Sequence, residues 1–267
     1  MTPATLHARE TFDAFAPYYD EATAHHRYDE WTRTLEGLAR AAGLSGRRLL
    51  DVGCGTGKSF LPFLERGYEV RACDLSPAMA ALAAEKAAGR ARVEVHDVRS
   101  LPTLGAFDLV CCLDDVVNYL DSEQELVDAF TSVRRNLAPG GVVVFDANTL
   151  RAYRTFFARA TVVQSPDRVL VWDGRTPDDL PTGGASRGEL LALERDGEWW
   201  SRTRFEHHQR HHAEATVRAA LAAAGLPWVA GYGMHLDGSV TDGFDELVNS
   251  KAVYVARASA PEQGEGR

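Results

Sequence analysis

An α/β fold, built on a doubly wound and mostly parallel sheet, is predicted from three observations. Strand-like apolar runs alternate with helix-compatible runs from residue 48 to residue 146, as in consecutive βα units. The first strand, opening at Arg48, enters a turn with glycine at alternate positions, Gly53, Gly55 and Gly57, and then the helix-compatible run Phe60 to Arg66. The second, Tyr68 to Asp74, ends in an acid roughly 20 residues after that turn, where α/β nucleotide sites place a carboxylate for ribose hydroxyls. Antiparallel patterning further along the chain then makes the sheet mixed.

Glycines suit the turn because a side chain would keep the backbone from a ligand. Two phosphate-binding patterns fail on spacing. A dinucleotide turn requires G-x-G-x-x-G, and a phosphate loop ending at Gly57-Lys58-Ser59 would need its first glycine where Val52 stands. The D-x-G-x-G-x-G arrangement of Asp51, Gly53, Gly55 and Gly57 resembles the first motif of class I S-adenosylmethionine-dependent methyltransferases. The resemblance implies a Rossmann-like seven-stranded sheet with its last strand antiparallel, and S-adenosylmethionine as cofactor.

In chain order, residues 1–45 form a helical cap segment, with a helix from about Tyr28 to Ala42 closed by Gly43. Ahead of it, Tyr18-Tyr19-Asp20 is similar to the family segment in which an aromatic hydroxyl closes over the methionine end of the cofactor. Tyr19 or Tyr18 is that residue, unless the pair only packs the leader on the domain. Residues 46–150 form the cofactor-binding core. Asp74, followed by Leu75, is assigned to the ribose and not to capping, since Ser76-Pro77 already opens the helix Ala78 to Ala88. The alternating strand Arg92 to Val98 brings Asp97 and Val98 to the place where the family holds adenine. Phe107 to Leu113 is apolar throughout, as for a strand covered on both faces, and the resemblance puts backbone at Leu113 beside the cofactor. Asp114 and Asn118 follow it as candidates to face substrate. Ser122 and Glu125 make a capping box, Pro139-Gly140-Gly141 breaks the helix, and the fifth strand ends in Phe145-Asp146-Ala147-Asn148, a further family match.

Residues 151–210 read as an antiparallel insertion, a lid over substrate, with a hairpin at Asp196-Gly197 and aromatics at Tyr153, Trp172, Trp199 and Trp200. The core resumes over 211–257 with a helix from Glu214 and two last strands, and a disordered tail is expected at 258–267. The net charge of -9 argues against a nucleic-acid groove. Four cysteines without C-x-x-C spacing read as small core residues of a reduced, cytoplasmic protein. No signal peptide or membrane span is expected, and the chain is read as a monomer or homodimer.

For chemistry, a methyl acceptor that arrives protonated needs a base, and histidine is the usual one. The run Glu206 to His212 places His207, Gln209 and His211 on one strand face and His208, Arg210 and His212 on the other. His207 and His208 are the catalytic candidates; solvated or structural histidines are the competing reading. A metal reading is disfavoured because neighbouring histidines on opposite faces do not chelate together. Asp114, Asp146 and Asn148 stand broadly where metal-assisted catechol methyltransferases hold magnesium, but the Phe-Asp-x-Asn segment occurs in metal-free members too, and no metal is expected. Asn148, Tyr153 and Trp172 join Asp114 and Asn118 as substrate contacts. The expected activity is methyl transfer to nitrogen or oxygen of a small metabolite, in the manner of natural-product enzymes. A cofactor-binding protein without turnover, or a nucleic-acid or protein methyltransferase, stands as the alternative.

Overall fold

A computed structural model describes residues 2–235 and 239–259. Two helices come first, α1 (Pro3–Ala22) and α2 (Tyr28–Ala41). The core follows as β1 (Arg48–Val52), α3 (Leu61–Glu65), β2 (Glu69–Asp74), α4 (Pro77–Ala87), β3 (Ala91–Val95), β4 (Phe107–Cys112), α5 (Glu123–Asn136) and β5 (Leu137–Asn148). The insertion comprises α6 (Leu150–Thr155), β6 (Ala160–Gln164), β7 (Arg168–Gly174), β8 (Ala185–Asp196) and β9 (Trp199–Arg210). The chain returns to the core through α7 (Glu214–Ala223), β10 (Trp228–Met234), β11 (Val240–Asp242) and β12 (Lys251–Arg257).

The central sheet runs β11-β10-β12-β5-β4-β1-β2-β3. Strands β1 to β5 pair in parallel, whereas β12 is antiparallel to both β5 and β10. The strand order reverses between β1 and β4, and a crevice opens there at their carboxyl ends. The sheet has eight strands, not the seven expected. The extra one, β11, is a three-residue edge strand joined to β10 at only two positions, too short and polar to leave a periodic signal.

Alternation along β1 and β4 divides the core. Leu50, Val52, Val110 and Cys112 face the side covered by α5 and α7, while Leu49, Leu109 and Cys111 face α2, α3 and α4. All four cysteines are buried and free.

Helix α1 runs for 20 residues through Pro17. Proline removes the N–H that would bond the Asp13 carbonyl. Tertiary contacts offset the loss: Phe15, Ala16 and Tyr18 are buried against the four-stranded sheet β6-β7-β8-β9, on Leu170, Leu190 and Phe205. On its other side, the Asp13 carboxylate accepts from the Ser76 hydroxyl and, at 3.1 Å, the Ala78 N–H at the start of α4. Ala258, assigned to the disordered tail, is buried and donates its N–H to the Gly141 carbonyl at 2.9 Å. Residues 260–267 of that tail lie outside the described residues.

Candidate functional site

The crevice is a cleft open to solvent, lined by the carboxyl ends of β1, β2 and β4, the segment after β3, and α1. Its floor is the glycine turn. Gly53, Gly55 and Gly57 have φ of 72°, 52° and 91°, in the left-handed region that a Cβ disfavours. A Cβ on Gly53 would also lie 2.5 Å from the Val116 side chain. Gly53 and Gly55 line the cleft, whereas Gly57 backs onto the Phe60 ring. The Gly55 N–H donates to one oxygen of Asp74 at 2.8 Å and the Ser76 N–H to the other at 2.8 Å. Burial pushes the Asp74 carboxyl up to about 6, against the pull of those N–H groups. Asp51 lies behind the turn. Its Oδ2 accepts from the Ser59 hydroxyl, its buried Oδ1 has no protein partner, and burial pushes it up to about 7.

Leu75, Asp97 and Val98 line one end of the cleft with Met79 of α4 and Ala8 and Phe12 of α1. Asp97 is held by Arg99, whose N–H and Nε donate to Oδ1 at 3.0 and 2.8 Å. Tyr19, Leu113 and Asp114 line the other end. There the backbone is strained: Asp114 and Asp115 have φ of 64° and 60°. The Asp146 carboxylate fixes this bend by accepting both of their N–H groups at 2.8 Å. Lys251 reaches Asp114 at 2.9 Å, Asp146 at 3.0 Å and Asp115 at 3.8 Å. Burial opposes the lysine's charge, but the three carboxylates outweigh it and hold its pKa well above the ordinary value. The same lysine keeps Asp114 ionised despite burial, while burial and its acidic neighbours push Asp115 up to about 7. The Tyr19 and Tyr28 hydroxyls both donate to Asp114 Oδ2, at 3.2 and 2.9 Å.

A family model described as a methyltransferase domain matches residues 49–141. The Bacillus subtilis (strain 168) methyltransferase-family protein YqeM is 31% identical over 172 residues, which span 63% of this chain and 68% of the relative. The chain belongs to the class I S-adenosylmethionine-dependent methyltransferases. An S-adenosylmethionine-dependent methyltransferase structure from Clostridium acetobutylicum superposes with a TM-score of 0.77 over 93% of this chain and 99% of its own, at 22% identity. CalS10 from Micromonospora echinaspora, described as an amino pentose methyltransferase with S-adenosylmethionine bound, matches with a TM-score of 0.68 over 91% of this chain and 97% of its own, at 25% identity. The cofactor of this methyltransferase is S-adenosylmethionine. The cleft fits it: Cβ atoms would fill the glycine turn, Asp51 has an orphaned oxygen behind that turn, and a buried carboxylate closes β2.

Four of the expected substrate contacts need correction. Asn118, Asn148 and Tyr153 are buried behind the cleft wall of the methyltransferase. Asn118 accepts from the Asn148 N–H at 2.8 Å and donates to the Arg210 carbonyl. The Asn148 amide donates to Asp115 at 2.6 Å, and the Tyr153 hydroxyl to Gln209 at 3.1 Å. Trp172 stacks on Phe156 and does not reach the wall. Of the five, Asp114 alone lines the cleft.

The two candidate histidines part company. His207 is buried with its Nδ1 2.9 Å from the Tyr119 hydroxyl, which does line the cleft. Burial, with His7 and His208 nearby, pushes it down to about 4, so it is neutral at pH 7. His208 lies outside the cleft, in a smaller hollow with His7 and Glu206. Sequence reasoning missed the walls supplied by Tyr119, Phe12, Met79 and His96. A lone side chain on a helix or in a loop carries no pattern, although His96, next to Asp97, was within reach. No helix among the described residues is long and apolar enough to cross a membrane.

Proposed function

We propose that this methyltransferase carries a methyl group to the nitrogen of a small amine-bearing metabolite, an amino sugar or similar natural-product intermediate. The observation that carries the reading is the charge at the Asp114 end of the cleft, where three carboxylates share one lysine. The remaining negative charge favours an acceptor that arrives as a cation. The description of CalS10 as an amino pentose methyltransferase supports the same class.

The bound cofactor supplies a methyl carbon on a sulfonium for in-line attack by a lone pair. Asp74 would accept from the ribose hydroxyls; Leu75, Asp97 and Val98 would hold adenine; Gly53, Gly55, Tyr19 and Leu113 would hold the methionine portion. Asp51 and Gly57 shape the turn from behind. An acceptor that binds as an ammonium first releases one proton to solvent through the open cleft; the free amine's lone pair then attacks, and orientation by the Asp114 end supplies most of what the step needs. His207 is a positioning residue that fixes the Tyr119 hydroxyl from behind the wall.

One observation favours a second reading, an oxygen acceptor. His26 Nδ1 lies 3.6 Å from the cleft-lining Asp114 carboxylate, so an imidazole stands just outside the cleft that could deprotonate a hydroxyl on turning inward. Mass spectrometry of reactions with amino sugars and their hydroxyl counterparts separates the two. Methylated amines are expected, with kcat/KM at least tenfold lower in Asp114→Asn and little changed in His26→Ala. Transfer to hydroxyls alone, abolished in His26→Ala, would replace nitrogen by oxygen. Tight cofactor binding with no transfer to either series would leave a binding role.

A further inference from the structure

The histidine run contains a feature that methyl transfer does not use. Glu206 and His208 share one face of β9, two residues apart, and His7 of α1 faces them across the interface. One ligand atom from each of the three lies within 4.8 Å of the others, and the His7 and His208 ring centroids are 4.6 Å apart. All three are half-buried around a hollow that Asp121 also borders. We propose that His7, Glu206 and His208 bind a divalent transition metal ion, of the zinc, cobalt or nickel class, that staples α1 to the lid.

The donor set suits such an ion, because two imidazoles and one carboxylate match borderline cations and leave positions for water. The groups beside the ligands are arranged to help. His7 Nε2 lies 3.1 Å from the Glu206 backbone carbonyl; a proton there leaves Nδ1 as the lone-pair donor, oriented by a carbonyl as metal-bound histidines are. Arg204 engages Glu206 Oε1, while Oε2 faces His208 at 3.7 Å. Donors on one tetrahedral centre stand about 3.4 Å apart. Closing the observed separations to that value takes side-chain rotation at a half-exposed surface, not movement of the backbone. The sequence-level objection, that adjacent histidines point apart, does not apply here: His207 turns inward to Tyr119, and the third ligand comes from another element.

Stapling would act on the cofactor cleft. Ala8, Phe12 and Tyr19, further along α1, roof that cleft, and Ala8 and Tyr119 border both hollows. An ion joining α1 to β9 would therefore hold the roof down and slow cofactor exchange.

The test is calorimetric titration of chelator-treated protein with zinc chloride, for wild type, His7→Ala, Glu206→Gln, His208→Ala and the control His25→Ala. Binding of one ion is expected, at least tenfold weaker in each of the three ligand variants and unchanged in the control. Cobalt chloride should give the visible absorption of a site with nitrogen and oxygen ligands in wild type, and lose it in the variants. Circular dichroism checks that each variant is folded, and Glu206→Gln keeps the side-chain volume. Stopped-flow dissociation of S-adenosylmethionine should be at least threefold slower with zinc than without it. Equal zinc binding in wild type and the ligand variants would overturn the site, and a zinc-independent dissociation rate would overturn the staple.

Discussion

Asp74, and Lys251 with its three carboxylates, carry most of the charge chemistry of the cleft. Asp74 accepts two backbone N–H groups, yet burial pushes it up to about 6. The ionised form is the stronger acceptor for a ribose hydroxyl. Cofactor affinity should therefore be flat above pH 7 and fall as pH drops through 6. Asp74→Ala should lose at least tenfold, about 1.4 kcal/mol, at pH 8, and should flatten that pH profile; calorimetry across pH reads both. Stability is a poorer reporter, as the signs show. Asp51 and Asp74 are raised, to about 7 and about 6, so the folded chain keeps protons the unfolded chain has lost, and their contribution falls as pH rises from the ordinary 3.8 through those values. His207 and His212 are lowered to about 4, so their contribution falls as pH drops from the ordinary 6.5. The two trends oppose each other over the same window. Lys251 can be tested more directly. Lys251→Met leaves Asp114, Asp115 and Asp146 buried without a counter-charge and should cost about 3–5 kcal/mol at pH 8. Urea denaturation should show part of that loss returning at pH 5, where the carboxyls take up protons; a variant as stable as wild type at pH 8 would contradict the assignment.

Among the elements, those with local determinants were legible in the sequence. The glycine turn is written in the sign of three φ angles, Asp74 in its spacing from that turn, and β6 to β9 in alternation and a hairpin whose Gly197 has φ of 62°. Elements fixed by distant partners were not. The passage of α1 through Pro17 rests on packing against Phe205 and docking through Asp13 to α4, residues far along the chain. Asn148 and Tyr153 look like pocket residues because their shared partner, Gln209, is 61 and 56 positions away. Phe205 measures how strongly α1 and the insertion's sheet depend on each other. Its ring centroid is 5.6 Å from Phe15 and 5.4 Å from Tyr18, and the side chain is buried. Phe205→Ala should cost about 3–5 kcal/mol, seen as a lower denaturation midpoint. It should also weaken cofactor binding, because the helix it anchors roofs the cleft.

At the scale of the whole molecule, two sheets with separate hydrogen-bond ladders meet across α1. The central sheet supplies the cleft floor, and the insertion's sheet reaches the cofactor region through that helix, through His207 behind Tyr119, and through Gln209 and Arg210, which bond Asp115 and Asn118. The helix is held to the core by polar bonds at its middle and its carboxyl end: Asp13 to Ser76 and Ala78, Asp20 to Thr56 at 2.6 Å, and the Thr23 carbonyl to Lys58 at 2.8 Å. Hydrogen bonds of this kind contribute about 1 kcal/mol each, enough to favour a closed roof and too little to lock it. If cofactor entry requires α1 to open, that local opening is read by amide exchange. Adding S-adenosylmethionine should slow exchange in residues 8–19 of α1 as well as in the glycine turn, because Ala8, Phe12 and Tyr19 line the cleft. Exchange at the edge pair β10–β11, remote from those residues in the strand order, should hardly change. Slowing confined to the glycine turn, with α1 unaffected, would mean that cofactor enters without moving the helix and that the roof is not a gate.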